Sequence, residues 1–341
     1  MAAMATPSVT VEASGRPITV TNPEKVYFPE VGLRKIDLVE YFLAVGDAAL
    51  VGVHRRPCIM KRYVDGIDGE PFYQKRVPAQ RPDWIRTARV TFPSGRHADF
   101  ICMHDVAHIV WTVNLGCTEL HPWPVRDDDV DHPDELRIDL DPTPETPFEH
   151  VRQVAMVVRD VLTEHGLTGF AKTSGSRGIH IPVRIHPQWG FTTVRRAALA
   201  LGREVERRVP ELATTAWWKE QRRGVFLDYN QNARDRTVAA AYSVRPRPDA
   251  RVSTPLRWDE VPTVAPEDFT VATVPQRLRE RGDPAEGIDA TAGSLESLLE
   301  LSRRDEAGGL GDAPWPPHFA KQEGEPRRVQ PSRARRDAEE A

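Results

Sequence analysis

The chain has 341 residues, 40% of them hydrophobic, enough to bury one large core or two small ones. Its 46 basic and 50 acidic side chains leave a formal charge of −4, so overall charge cannot draw nucleic acid and only local patches could. Cys58, Cys102 and Cys117 show no C-x-x-C spacing, which argues against a thiolate zinc site and a disulfide framework and fits a reducing cytoplasm.

In chain order, "VTVEASGRPITVT" alternates apolar and polar residues on both sides of Gly15 and predicts a hairpin. From Lys35 to Val51, Ile36, Val39, Phe42, Val45 and Ala49 recur at helical spacing. Two more amphipathic helices are predicted, over Phe148 to Leu162 with Gly166 as the stop, and through Val194, Ala198, Leu201 and Val205. Between them "HADFICM", "LRIDLDP", "GIHIPVRI" and "GVFLDYN" read as short strands, so the class is mixed α/β. No segment approaches the roughly 20 apolar residues that span a bilayer, and the N-terminus lacks a secretion signal. After "SLESLLELSRRD" the pattern is lost. Residues 306–341 read as a flexible, disordered tail behind a single domain over 1–305. Within that tail, Arg327 to Arg336 is basic and free of acids, as a solvated terminus or a patch touching DNA or a partner would be.

Three segments carry the candidate chemistry. On a strand, Asp139 and Asp141 point the same way while Ile138 and Leu140 face the other side. Such a pair can share a hard divalent ion with substrate phosphate, or simply face solvent on an edge strand. Asp228 follows the apolar run Val225, Phe226, Leu227, where an unpaired acid is costly. It could complete a three-carboxylate, two-ion site, or pair with Arg234 or Arg236. In "KTSGSRGIHIPV", Gly175 and Gly178 permit a tight turn, Ser174 and Ser176 offer hydroxyls, and Arg177 supplies a fork for phosphate. His180 alternates with Ile179 and Ile181 and points away from their apolar face. The loop does not match G-x-x-x-x-G-K-[ST], which disfavours a P-loop NTPase.

Taken jointly and in order, "RIDLDP", "KTSGSRGIHIPV" and "VFLDYNQNARDRTVAAAYSVRPRP" resemble the primase-polymerase family of the archaeo-eukaryotic primase superfamily, in particular the polymerase domain of bacterial DNA ligase D. The likeness runs from about Ile18 to about Asp305, without a ligase or nuclease module, as in a stand-alone member. It implies a catalytic core of mixed and antiparallel central sheets flanked by helices. It further implies that Asp139, Asp141 and Asp228 bind two ions, Mn²⁺ or Mg²⁺, and carry catalysis. The same likeness implies a nucleoside triphosphate held by Ser174, Arg177, Gly178 and His180, with Lys61, His121, Gln231 and Arg245 around it. The family loop often has lysine where Arg177 stands; arginine keeps the charge but not the shape.

For DNA, "TNPEKVYFPEVGLRK" resembles the segment that grips a recessed 5′-phosphate, implying Asn22, Lys25 and Lys35. "MKRYVDGIDGEPFYQKR" matches the template-facing segment, implying Arg62, Phe72 and Tyr73, the two aromatics as stacking platforms. "WWKEQRRGVF" places Lys219, Arg222 and Arg223 where the family has a mobile basic loop. The implied activity is template-dependent extension of a primer at gaps and broken ends, ribonucleotides preferred, in end-joining repair in the bacterial cytoplasm at the nucleoid. Ku and a separate ATP-dependent ligase are candidate partners. Two other classes compete: a DNA-end-binding scaffold with little polymerisation, and a metal-dependent nuclease using water as nucleophile.

Overall fold

Two hairpins open the chain. The computed structural model describes residues 6–92, 95–316, 319, 321 and 325. Strands β1 (Ser8–Ala13) and β2 (Arg16–Thr21) pair antiparallel around Ser14 and Gly15, both at positive φ, as the alternation predicts. Strands β3 (Val26–Phe28) and β4 (Leu33–Arg34) lead into helix α1 (Lys35–Val53), whose Val39, Phe42, Val45 and Ala49 are buried along the expected stripe.

A first sheet follows, from β5 (Pro57–Arg62), β6 (Phe72–Gln74), β7 (Thr87–Thr91), β8 (His97–Cys102) and, after helix α2 (Val106–Asn114), β9 (Cys117–Pro122). Its order is β6-β5-β8-β7, with β9 along the other side of β5. Neither α2 nor β9 was expected from the sequence. Helix α2 is buried from Val106 through Val113, so no polar face marks its period, and every residue of β9 is buried, including Glu119 and His121. The three cysteines are buried free thiols.

The second sheet holds β10 (Glu135–Pro142), then, beyond helix α3 (Phe148–Glu164), β11 (Lys172–Thr173) and β12 (Ile179–Arg184), then, beyond helix α4 (Phe191–Arg208), β13 (Ala213–Thr214) and β14 (Val225–Leu227). The order is β11-β12-β10-β14-β13, and only β13 and β14 run parallel. Strand β10 is therefore central, which removes the edge-strand reading of Asp139 and Asp141. Its Leu136, Ile138 and Leu140 pack into one core with Val151, Val154 and Val158 of α3 and Val194, Ala198 and Leu201 of α4. Full burial of such side chains contributes about 1.5–3 kcal/mol each. One face of the sheet is thus committed to packing, leaving the other for chemistry.

Helices α5 (Val274–Arg281) and α6 (Glu296–Ala307) close the fold. Packing does not stop at the boundary expected at 305. Residues 308–316 continue along α4, with Ala313 and Trp315 buried, because Arg195 gathers them. The basic stretch Arg327 to Arg336 lies outside the described residues. No described helix is long and apolar enough to cross a membrane.

Candidate active site

Register brings the acids together. Asp139 stands opposite His180 of β12, and Leu140 stands opposite Leu227 of β14. Asp228, the next residue, therefore faces Asp139, and its N–H donates to the Asp139 carbonyl at 2.9 Å. Burial, with Asp228 and Asp141 nearby, pushes the Asp139 carboxyl up to about 8, and burial raises Asp228 as well. Asp141, two residues along, is exposed. The Asp228 carboxylate accepts from the Asn230 N–H at 3.0 Å and from Gln231 Nε2 at 3.1 Å. Arg234 pairs with Asp131 instead, so the Asp–Arg pair considered from the sequence is not formed there, and Asp228 has no ion pair among the described residues.

Among the described residues, no three His, Cys, Asp or Glu side chains form a group that could hold an ion by themselves. The donor chemistry nevertheless fits a hard divalent ion. Such ions need only one or two carboxylates, with phosphate oxygens and water completing the shell. Three carboxylates with no Lys or Arg ion pair among the described residues, one of them pushed towards neutrality, are what such an ion relieves.

The glycine-rich turn lies against these acids. Ser174 Oγ accepts from the N–H groups of Ser176 and Gly178 at 3.1 and 3.0 Å, which leaves its own O–H free to donate. A Cβ on Gly178 would fall 2.3 Å from the Leu140 carbonyl oxygen, so only glycine lets the turn approach β10 this closely. Gly175 sits at φ +66°, and a Cβ there would meet Arg245 Cγ at 2.4 Å. The turn is thereby held between the carboxylate strand and Arg245, with Arg177 exposed at its tip. His180 Nε2 lies 3.4 Å from Asp139 Oδ1. Its Nδ1 is 2.8 Å from the buried Lys172 ammonium, which also donates to Ala239 O and Ser253 Oγ. Burial, with Arg245 nearby, brings Lys172 down to about 7, and burial beside Lys172 takes His180 well below its ordinary value.

Lys61, His121 and Arg245 converge through a residue that the sequence reading missed. Glu119, with a fully buried carboxylate, lies 2.7 Å from Lys61 Nζ, 2.8 Å from Arg245 Nε and 3.7 Å from His121 Nε2, and accepts from Tyr63 OH at 3.0 Å. Burial works against its charge, but His121, Arg245 and Lys61 together hold the Glu119 carboxyl well below the usual range. The available signal was an acid two positions before His121, on the same face if the segment is a strand. Lys172, at the head of the quoted loop, was also passed over.

The DNA candidates fall into three groups. Lys25 donates to Val64 O at 2.5 Å and pairs with Asp65 at 3.0 Å. Lys35 is buried and donates to Asn114 O; burial, with Lys25 and Arg62 close by, lowers it to about 8. Asn22 shapes the preceding turn at φ +49°, its carbonyl accepting from the Lys25 N–H. Phe72 and Tyr73 stand on the outermost strand β6, 44% and 62% exposed, with Arg62 over the Phe72 ring and Lys61 over the Tyr73 ring. Arg222 turns inward, donating to Ala216 O and Trp217 O and lying 3.4 Å over the Phe226 ring, whereas Lys219 and Arg223 are exposed.

Comparison with known proteins finds relatives of this chain. The multifunctional non-homologous end joining protein LigD of Mycolicibacterium smegmatis is 28% identical over 292 residues, covering 84% of this chain and 38% of that protein. The bifunctional non-homologous end joining protein LigD of Bacillus subtilis is 30% identical over 267 residues, covering 77% of this chain and 43% of its own length. The chain thus spans well under half of these relatives. The polymerase domain of Mycobacterium tuberculosis ligase D, solved in complex with DNA, superposes with a TM-score of 0.75 at 28% identity, over 81% of this chain and 99% of that one. The family described as "LigD, primase-polymerase domain" matches residues 34–285, and the chain belongs to that family.

Proposed function

We propose that the protein is a template-dependent nucleotidyltransferase that extends a primer 3′-hydroxyl at gaps and broken DNA ends, with ribonucleotides preferred, in end-joining repair. The observation that carries this reading is the register of β10: Asp139 lies between His180 and Asp228, with the glycine-rich turn packed on Leu140 directly beside them. A carboxylate cluster next to a turn bearing a free Ser174 hydroxyl and an exposed Arg177 suits phosphoryl chemistry, and a nuclease would have no use for a pyrophosphate cradle.

The primer hydroxyl attacks the α-phosphate of the bound nucleoside triphosphate, and the bond to pyrophosphate breaks as the new P–O bond forms. Asp139, Asp141 and Asp228 are the residues that would hold one or two Mn²⁺ or Mg²⁺ ions, which supply charge neutralisation at the attacking and leaving oxygens. The Ser174 hydroxyl, Arg177 and His180 bind the triphosphate, with Gly178 letting the turn approach β10, while Lys61 and Arg245, fixed by Glu119, face its charge. Gln231 orients Asp228. Phe72 and Tyr73, with Arg62 beside them, offer exposed rings to unpaired template bases, and Lys25 and Lys35 with the Asn22 turn form a cationic corner suited to a 5′-phosphate. Exposed Lys219 and Arg223, with the Arg222 loop, add charge beside Asp228. End recognition would place Ku and a separate ligase among its partners.

The test is extension of a labelled primer on a gapped, 5′-phosphorylated duplex, with ribo- or deoxynucleotides and Mn²⁺ or Mg²⁺, comparing wild type with Asp139→Ala/Asp141→Ala. Extension lost in the variant establishes the polymerase. A folded wild type that binds the gap without extending it is an end-binding scaffold, and one that degrades the primer is a nuclease. Arg177→Ala should raise the apparent KM for nucleotide; an unchanged KM removes Arg177 from the triphosphate site.

A further inference from the structure

The guanidinium of Arg195 on α4 is fully buried and joins two parts of the chain that lie far apart in sequence. On one side its Nε donates to Asn230 Oδ1 at 2.7 Å. On the other, Nη1 donates to Asp312 Oδ1 at 2.7 Å, and Nη2 to the carbonyls of Ala313 and Pro314 at 2.9 and 3.0 Å. The plane is flanked by two rings, Trp315 at 4.1 Å and Tyr229 at 5.1 Å. Trp315 Nε1 donates in turn to Asp312 Oδ2 at 2.8 Å, which closes the 312–315 segment around the cation as a clasp.

Asn230 is the next link. Its N–H donates to Asp228 Oδ1 at 3.0 Å. Its side-chain oxygen faces Arg195 even though this leaves Nδ2 buried without a partner among the described residues, a cost the amide bears because a cation admits only the acceptor end. The far end of the same turn is held separately: Asn232 exchanges two 2.8 Å hydrogen bonds with the backbone of Arg137. The turn is therefore anchored without the clasp, while Arg195 holds the residue whose N–H reaches the Asp228 carboxylate.

We infer that Arg195 is a positioning residue for Asp228 and that the Asp312–Trp315 clasp, by completing the shell of Arg195, sets the geometry in which Asp228 meets a divalent cation. This rests on the polymerase reading, in which Asp228 is a cation ligand. Groups that orient ligands in this way commonly change cation affinity by about 10–100-fold, and a clasp acting through two links belongs at the lower end.

The experiment is Mn²⁺ titration of the full chain, with free Mn²⁺ followed by electron paramagnetic resonance, for wild type, Trp315→Ala, Trp315→Phe, Asp312→Asn and Arg207→Ala. Arg207 ties α4 to α6 through Asp305 and bonds neither Asn230 nor residues 312–315, so its variant controls for a general loss of stability. Near-ultraviolet circular dichroism verifies folding. If Trp315→Ala does not fold, Asp312→Asn, which removes one acceptor without changing shape, carries the test. Binding about tenfold weaker in Trp315→Ala and Asp312→Asn, less weakened in Trp315→Phe, which keeps a ring over Arg195 but loses the bond to Asp312, and unchanged in Arg207→Ala, is expected. Wild-type affinity in both clasp variants, or equal weakening in Arg207→Ala, overturns the inference while leaving the polymerase reading in place. A wild type that binds no Mn²⁺ overturns both.

Discussion

Asp228 faces Asp139 across the β10–β14 pair, its N–H donating to the Asp139 carbonyl, so two carboxylates are held side by side by backbone pairing rather than by a cation. The Asp139 carboxyl rises from 3.8 to about 8, burial being the main cause and Asp228 and Asp141 the next. Folding therefore disfavours its charged form. A group raised in this way contributes stability that is complete below about pH 3.8 and is lost as pH rises through about 8. Chelator-treated wild type should melt several degrees lower at pH 8 than at pH 6, and Asp139→Asn should remove much of that difference while abolishing extension. Thermal melts at both pH values check this; an Asp139→Asn protein less stable than wild type at pH 8 contradicts it.

Glu119 presents the opposite sign. Its carboxyl is held well below 4.5 by His121, Arg245 and Lys61 against the cost of burial, so its stabilisation is present above pH 4.5 and drains away as pH falls below it. Removing one partner of a buried ion cluster costs about 3–5 kcal/mol. Urea unfolding of Glu119→Gln should show a deficit of that order at pH 7 that narrows below about pH 4.5, with nucleotide KM raised because Lys61 and Arg245 lose their anchor.

Lys25 is tethered to Asp65 by a half-exposed ion pair, which a phosphate could replace at little cost. Lys25→Ala should weaken binding to gaps bearing a 5′-phosphate and spare unphosphorylated ones. The slope of log affinity against log salt should shrink by about 0.9 on the phosphorylated substrate alone. Fluorescence anisotropy on the two substrates decides it; equal losses on both would sink the assignment.

Among the described residues Tyr73 is the most exposed of the large apolar and aromatic side chains, so truncating it removes little packing. If it stacks on a template base, Tyr73→Ala should cost about 1–3 kcal/mol of affinity for gapped DNA without lowering the melting temperature. Tyr73→Phe should behave as wild type. A melting temperature that falls along with affinity would make the ring a packing residue instead.

Gly178 offers a steric test of the turn. A methyl group there lies 2.3 Å from the Leu140 carbonyl oxygen, a contact backbone cannot absorb without moving the turn off β10. Gly178→Ala should raise nucleotide KM at least tenfold while the protein stays folded, whereas Gly190→Ala, which meets nothing within 4 Å, should leave it unchanged.

Local periodicity accounts for what the sequence by itself determined. The helices through Phe42, Val158 and Val194, the hairpin at Gly15 and the shared face of Asp139 and Asp141 all depend on alternation or a 3.6-residue repeat within one segment, and all appear where that repeat predicts them. Helix α2 and strand β9 escaped because burial on every side erases the repeat. The tertiary structure alone decided the partners: Glu119 beneath Lys61 and Arg245, Lys172 behind His180, and Arg195 between Asn230 and Trp315. Lys61 and Arg245, for instance, reach Glu119 from separate segments, and only folding brings either one near it. A buried charge is paid for by whichever opposite charge or carbonyl the packing sets beside it, and that neighbour is chosen by strand order and register rather than by any residue next to it in the chain.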